Sequence, residues 1–463
     1  MAQEFETALE SVLKRQLPGC RALLAWEQLT AGASQETYRL EIEEASGTRR
    51  YALRRSPAQL DPQSAVGTIS LETEAQLLQL AGAAGIPGPT VHYVLREDDG
   101  LGSGFVMDWL NGETLGQRIV RSEALADARA KLARECGQIL GRIHSLDWAS
   151  SPLAEALPRI SPEHLVRDTW ATYRDLQVPV PMIDYCYRWL LDNAPGTWRT
   201  TLVHGDFRNG NLMVTPEGIN GVLDWELAHI GDPLRDLGWL CVNSWRFGND
   251  ALAVGGFGTI DELREGYRET SGIEVSRDEI KYWQVFGSFW WAMATLQMAD
   301  AWRRGETPSL ERPVIGRRSS EAQMDCVNLL IPGEFDLPDE GAVIADGTQL
   351  PMPGELLSGV AAFLKDELAS ELQGRQAFLA KVAANSLGIA QREFQFGGDL
   401  AKKEQERLEQ LLGQRGSLEV LRWELVHRLR TDMALDTPGL AGHLRQTVAG
   451  QLAIDQPRYP ALH

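Results

Sequence analysis

Between Leu202 and Asp236 the chain departs from the helical periodicity that surrounds it. Three short apolar runs, Thr201-Leu202-Val203, Leu212-Met213-Val214 and Val222-Leu223, alternate with turns rich in Gly, Asp and Asn. Runs this short, bounded by turn formers, read as buried short strands. They hold His204, Asp206, Asn211 and Asp224 on loops between rigid ends, where chemistry is usually carried.

The flanking segments supply the architecture. Leu29 to Ile42 and Arg50 to Arg54 read as the start of an antiparallel sheet, Thr68 to Ala81 as a helix, and Val91 to Leu95 and Gly104 to Trp109 as further strands. From Asn111 the pattern is mostly helical. Leu132, Cys136, Ile139, Leu140 and Ile143 share one apolar face, and helical spacing returns over Ile183 to Asn193 and Glu279 to Arg303. Pro332 to Pro353, with its prolines, glycines and acids, reads as a linker. Beyond it three amphipathic helices are expected, around Leu357 to Leu368, Phe378 to Ile389 and Leu418 to Leu429. The 463 residues exceed what one core usually organises. The expected fold is α+β: a sheet-rich lobe over 1–110, a mostly helical lobe over 111–331, a linker over 332–353 and a helical accessory domain over 354–463.

A formal charge of −19 argues against a nucleic-acid binder, whose affinity comes mainly from cationic side chains. The five cysteines show no C-x-x-C pairing and suit reduced thiols in a cytosol. Met1 to Lys14 is polar and acidic, unlike a leader peptide, and no run is long and apolar enough for a membrane span. A cytoplasmic location is expected, with no nucleic-acid or membrane partner.

His204-Gly205-Asp206-Phe207-Arg208-Asn209-Gly210-Asn211, followed by Asp224, has the spacing of the phosphoryl-transfer loop H-x-D-x-x-x-x-N and its downstream metal aspartate. Such a reaction needs a carboxylate to accept the attacking hydroxyl's proton, and oxygen ligands for a magnesium ion on the phosphates of ATP. Asp206 is the candidate base; Asn211 and Asp224 are the candidate Mg2+ ligands. The competing reading, that Asp206 and Asn211 only cap turns, is weakened by the apolar strands framing the loop.

These motifs resemble the aminoglycoside-phosphotransferase and choline-kinase branch of the protein-kinase-like superfamily, over about residues 20 to 330. The resemblance implies a bilobal kinase-like fold and ATP as co-substrate. It places His204 and Asp236, the latter in Gly231-Asp232-Pro233-Leu234-Arg235-Asp236-Leu237, in structural roles around the loop. Tyr51-Ala52-Leu53-Arg54 aligns with the V-A-I-K strand. Alternation puts Ala52 and Arg54 on one face, small Ala52 leaving room for adenine and Arg54 standing for the usual lysine, while Arg55 faces away. Glu74, or failing it Glu72, is the expected ion partner of Arg54. Ser34, in Ala31-Gly32-Ala33-Ser34-Gln35, falls on the turn that closes over phosphates in the family. Met107 and Trp109 fall on the hinge beside the base.

For the acceptor, Arg303, Arg304, Arg317 and Arg318 form a basic cluster in an acidic chain and are candidates for substrate phosphate, solvated helix ends being the alternative. Trp239, Trp245, Trp290, Trp291 and Trp302 are either pocket lining or core. The segment from Glu355 to Glu393 resembles a small helical family found beside phosphotransferases of this branch, the two acting together on 4-hydroxyacyl-CoA thioesters. That resemblance implies a fused pair phosphorylating the 4-hydroxyl of an acyl-CoA in hydroxy-acid catabolism. The alternatives are a kinase for an amino alcohol, sugar or aminoglycoside, and a non-catalytic nucleotide- or CoA-binding protein. The accessory domain is expected to dock on the kinase part or to mediate oligomerisation, with Asn385 and Arg392 as polar docking or core residues.

Overall fold

The computed structural model describes residues 2–31, 35–57, 69–306, 309–338 and 353–462. They form two compact units, Met1–Ser161 with Thr197–Cys241 and Trp245–Trp283, and Pro162–Gly196 with Val242–Ser244 and Gln284–His463. Chain order and compactness thus divide differently: helices from the middle of the chain, such as Pro181–Asp192, cluster with helices near its end.

In the first unit, β1 (Cys20–Ala31), β2 (Glu36–Glu44), β3 (Gly47–Ser56), β4 (Val91–Val94) and β5 (Ser103–Asp108) make one antiparallel sheet in the order β1-β2-β3-β5-β4. The segment expected over Leu29 to Ile42 is two strands of a hairpin, and the first starts at Cys20. One face of the sheet buries Tyr38, Leu40, Ile42, Tyr51, Leu53 and Val106 against a helix, Ala2–Gln16, through its Leu9, Val12 and Leu13. That helix was not expected, although Leu9, Val12 and Leu13 recur at helical spacing.

Helix Leu71–Ala83 lies against the sheet's other side, capped by Ser70, whose hydroxyl accepts the Thr73 N–H at 3.1 Å. Its buried face carries Leu71, Ala75, Leu78 and Ala81, and the phase puts Glu74 on that face and Glu72 in solvent. Helix Leu132–Ile143 buries the five residues expected of it. It crosses helix Ile260–Ser271 so closely that a Cβ on Gly137 would lie 2.1 Å from the Leu263 carbonyl, and one on Gly266 2.0 Å from that of Arg134. Only glycine permits this approach.

Four short strands follow as two pairs: β6 (Thr201–Val203) with β9 (His229–Gly231), and β7 (Leu212–Thr215) with β8 (Gly218–Val222). Three of them, β6, β7 and β8, are the buried brief strands the apolar runs implied, β9 is additional, and their ends hold the loops that carry the motif.

The second unit is helical. Besides Pro162–Asp175, Pro181–Asp192 and the later part of Arg277–Arg303, it contains Ser319–Leu330, Pro353–Ala362, the 39-residue helix Gly374–Leu412, Leu418–Thr431 and Leu440–Asp455. The last of these was missed, its fourfold spacing of Leu440, Leu444, Val448 and Leu452 being diluted by Gly442 and Gly450. Asp184 is wholly buried and accepts Arg430 at 2.6 Å and the Trp170 indole at 3.0 Å, tying helix Pro181–Asp192 to Leu418–Thr431. Asn385 is exposed, whereas Arg392 donates to the Ile454 carbonyl at 2.6 Å, a contact between two terminal helices. No helix among the described residues is long and apolar enough to cross a membrane.

Candidate active site

The loop 204–211 leaves β6 and returns into β7. Gly205 takes φ +86°, and a Cβ there would sit 2.3 Å from the Leu227 carbonyl, so the turn after His204 requires glycine. Asp236 fastens this turn from below. Its carboxylate accepts the backbone N–H groups of His204 at 2.8 Å and Gly205 at 2.9 Å, and His144 Nε2 at 3.1 Å. Burial would raise its pKa, but the His144 bond and nearby positive charge hold it down to about 2. His144 is braced in turn by the Tyr267 hydroxyl at 3.1 Å, which receives Arg199 at 2.6 Å.

His204 is buried against Trp225, ring centroids 4.6 Å apart. Burial depresses its pKa, so the ring is neutral and its Nδ1 accepts the Asp206 N–H at 3.2 Å. The Asp206 carboxylate is mostly shielded and receives three donors: Trp239 Nε1 at 2.7 Å, Arg208 Nε at 3.0 Å and Asn211 Nδ2 at 2.6 Å. Arg208 lies over the Trp245 ring at 4.5 Å. With the Asn211 amide nitrogen committed to Asp206, its amide oxygen is the atom able to face a cation.

Asp224 follows β8, its segment tied to the loop by Leu223 N–H donating to the Asn211 carbonyl at 2.9 Å. It adopts φ 65°, a left-handed conformation uncommon outside glycine, at the point where its side chain meets the first-lobe sheet. There Arg54, on β3, donates to Asp224 at 2.8 Å and to Glu226 at 3.3 Å, and its Nε lies 3.1 Å from Glu74. Glu74, rather than exposed Glu72, is therefore the helix acid beside Arg54. Burial raises the Glu74 pKa to about 7 against the pull of Arg54, with Asp224 and Glu226 pushing the same way. Burial opposes the Arg54 charge too, but the acids around it keep it protonated.

Ala52 is buried and paired in register with Met107, while Arg54 pairs with Phe105. Arg55 turns to the opposite face, donating to Glu36 at 2.8 Å over the Phe5 ring. Trp109 follows β5, with the Arg39 guanidinium 6.0 Å from its ring. Ser34 lies outside the described residues.

Three participants lay beyond the sequence reading of the site: Glu226, Arg208 and, as a partner of Asp206, Trp239. Glu226 had one available signal, its place two residues after Asp224. Asp206, Asp224, Glu226 and Glu74 together outweigh Arg54 and Arg208, an acidic surplus suited to a hard cation. Among the described residues no three His, Cys, Asp or Glu side chains already form a metal cluster. Magnesium in nucleotide sites commonly takes one or two protein oxygens and completes its shell with phosphate and water, so this donor set fits it.

The arginine cluster lies in or beside the helical unit and is not a set of free guanidiniums. Arg304 pairs with Asp300 at 3.3 Å and Glu306 at 3.1 Å, Arg317 with Glu393 at 2.9 Å and Asp455 at 3.1 Å, and Arg318 with Glu321 at 3.0 Å; Arg303 is exposed. Trp290 and Trp291 stack on each other, and Trp302 is exposed.

A family model described as "Phosphotransferase enzyme family" (APH) matches residues 25–273, and one described as "Domain of unknown function (DUF6285)" matches 370–459. The chain is 31% identical over 260 residues to mouse acyl-CoA dehydrogenase family member 10, covering 51% of this chain and 22% of that protein. It is 28% identical over 244 residues to mouse acyl-CoA dehydrogenase family member 11, covering 50% and 30%. The chain thus spans under a third of the length of these curated relatives. An aminoglycoside 3'-phosphotransferase of Niallia circulans is 25% identical over 171 residues, 35% of this chain and 65% of that one. Among solved structures, one from Ralstonia eutropha JMP134, described within the aminoglycoside phosphotransferases, superposes with TM-score 0.57 at 21% identity, over 69% of this chain and 96% of that chain. The fold is accordingly kinase-like.

Proposed function

The chain belongs to the phosphotransferase enzyme family, and from that premise we propose that it transfers the γ-phosphate of ATP to a hydroxyl group of a small molecule. The observation that carries this reading is the Asp206 carboxylate, oriented by Arg208 and Asn211 of its own loop and by Trp239 of the helix Leu234–Leu240, with Arg54 and Asp224 joined beside it.

In this reading the acceptor O–H gives its proton to Asp206 as its oxygen bonds to the γ-phosphorus, and the bond from that phosphorus to the bridging oxygen breaks, releasing ADP. Arg54 holds phosphate oxygens with the fork it now offers to carboxylates, and Glu74 orients it. Magnesium bound by Asn211 and Asp224 would neutralise charge on the phosphates. Ala52, Met107 and Trp109 line the adenine position, and His204 and Asp236 hold the loop.

For the acceptor we favour the 4-hydroxyl of a 4-hydroxyacyl-CoA. Two things support it: relatives named acyl-CoA dehydrogenase family members, and the resemblance of the segment from Glu355 to Glu393, read from the sequence, to the small partner of such kinases. The carboxylate partners of Arg304, Arg317 and Arg318 weaken their candidacy for CoA phosphate, since a phosphate there must displace an acid. Residues 354–463 are read as the accessory domain, and the five free cysteines favour a cytoplasmic setting.

The test is ADP release with ATP and magnesium across 4-hydroxyacyl-CoA thioesters, free hydroxy acids, choline and kanamycin, with Asp206→Ala as control. Turnover confined to thioesters supports the full reading. Turnover on an amino alcohol, sugar or aminoglycoside retains the kinase and rejects the thioester. Nucleotide binding without turnover on any acceptor rejects the kinase in favour of a binding protein.

A further inference from the structure

The helical unit forms a partly open cavity of about 240 Å³ that the phosphotransfer chemistry does not use. Its apolar wall includes Val180, Met182, Leu296, Leu444 and Val448. Most of its polar lining is already satisfied. Arg422 forks onto Glu404 at 2.7 and 2.6 Å, Arg317 meets Asp455 at 3.1 Å, and Ser319 and Ser320 donate to backbone carbonyls at 2.9 and 3.0 Å.

His443 is the exception. It lines the cavity at 3% exposure, and neither Nδ1 nor Nε2 has a hydrogen-bond partner. Burial, and then the charges of Arg407 and Arg422, push its pKa down to about 3, so the ring is neutral, with one N–H to donate. Arg407 bonds Thr447, a lining residue, at 3.1 Å; its Nε is buried without a partner, and it has no ion-pair partner among the described residues. This corner therefore combines a guanidinium with no direct ion pair, Arg407, which feels the charge of Glu404 at longer range, a free imidazole donor and an aliphatic wall. An anionic oxygen group on a short apolar body matches all three. A cavity of about 240 Å³ has room for a short aliphatic acid.

We propose that this cavity binds a short-chain monocarboxylate, with the His443 N–H on a carboxylate oxygen, the Arg407 charge beside it, and the aliphatic chain along Leu444 and Val448. The site lies wholly within the helical unit and does not depend on the kinase reading.

The experiment is calorimetric titration of the full-length protein with butyrate, 1-butanol and butylamine. Butyrate should bind while the alcohol and amine do not, and His443→Leu should weaken butyrate at least about tenfold. Because His443→Leu could disturb folding, imidazole nitrogen NMR of the unaltered protein provides a second readout: butyrate must shift the His443 ring resonances. Absence of butyrate binding, equal binding of butanol, affinity unchanged in a folded His443→Leu protein, or unmoved ring resonances would each overturn the assignment.

Discussion

Trp239 donates its indole N–H to Asp206 at 2.7 Å, from a helix, Leu234–Leu240, that also carries Asp236. One short helix thus fixes the loop twice, through the carboxylate of Asp206 and, via Asp236, through the backbone of His204 and Gly205. The proposed base is held by side-chain and main-chain contacts with a common origin.

Replacing Trp239 with Phe keeps the packing but removes that donor. On whichever acceptor supports turnover, kcat should fall about tenfold, the scale of one hydrogen bond to a charged group, while KM for ATP changes little. Steady-state ADP release measures both. An equal rise in KM would mean that Trp239 serves binding instead.

Arg54 faces Glu74, Asp224 and Glu226 at once. Arg54→Met leaves a nearly inaccessible Glu74 opposite two other acids, and removing one partner of a buried ion pair costs roughly 3–5 kcal/mol. A large fall in Tm and loss of ATP binding are expected in scanning calorimetry and nucleotide titration. Arg54→Lys should retain more stability than affinity, because a point charge replaces one bond of the fork but not its planar geometry.

Residues related by spacing within one loop were legible in the sequence: Asp206 and Asn211 stand five apart and do meet. Glu74 was separable from Glu72 by helical phase, since it shares a face with Leu71, Leu78 and Ala81. Glu226 and Trp239 were not, because only the folded return of Asp224 to β3 and of the 234–240 helix to the loop brings them in. The acids around the arginine cluster were hidden for a related reason. Its like charges are adjacent in sequence, whereas two acids that engage Arg317 come from residues 76 and 138 positions away.

Asp236 links folding to pH. Its pKa of about 2 lies below the unfolded value of 3.8, so the native state favours the carboxylate. The resulting stabilisation, about 2 kcal/mol, is fully present above pH 4 and is lost as pH falls through the interval toward 2. Asp236→Asn should lower stability at pH 7 and flatten that part of the profile, as read by urea unfolding at a series of pH values. An unchanged acid limb would show that Asp236 is not a source of the dependence.

Asp184 poses the corresponding question in the helical unit. It is wholly buried, and burial raises its pKa, with the bonds from Arg430, Trp170 and Tyr173 working to keep it ionised. Arg430→Met should destabilise the protein by about 3–5 kcal/mol, since it strands a carboxyl that two neutral donors cannot compensate. Asp184→Asn added to Arg430→Met removes the stranded charge and keeps an oxygen for the Trp170 indole at 3.0 Å, while the new amide N–H can donate to the Tyr173 hydroxyl, which has the Val178 carbonyl at 2.9 Å as its own acceptor. The double variant should therefore be more stable than Arg430→Met alone, a reversal of the usual additive loss. Chemical unfolding of the two single variants and the double variant measures it. Simple additivity would show that Arg430 contributes through its packing over Trp170 and Tyr173, at 5.4 and 5.8 Å, rather than through its charge.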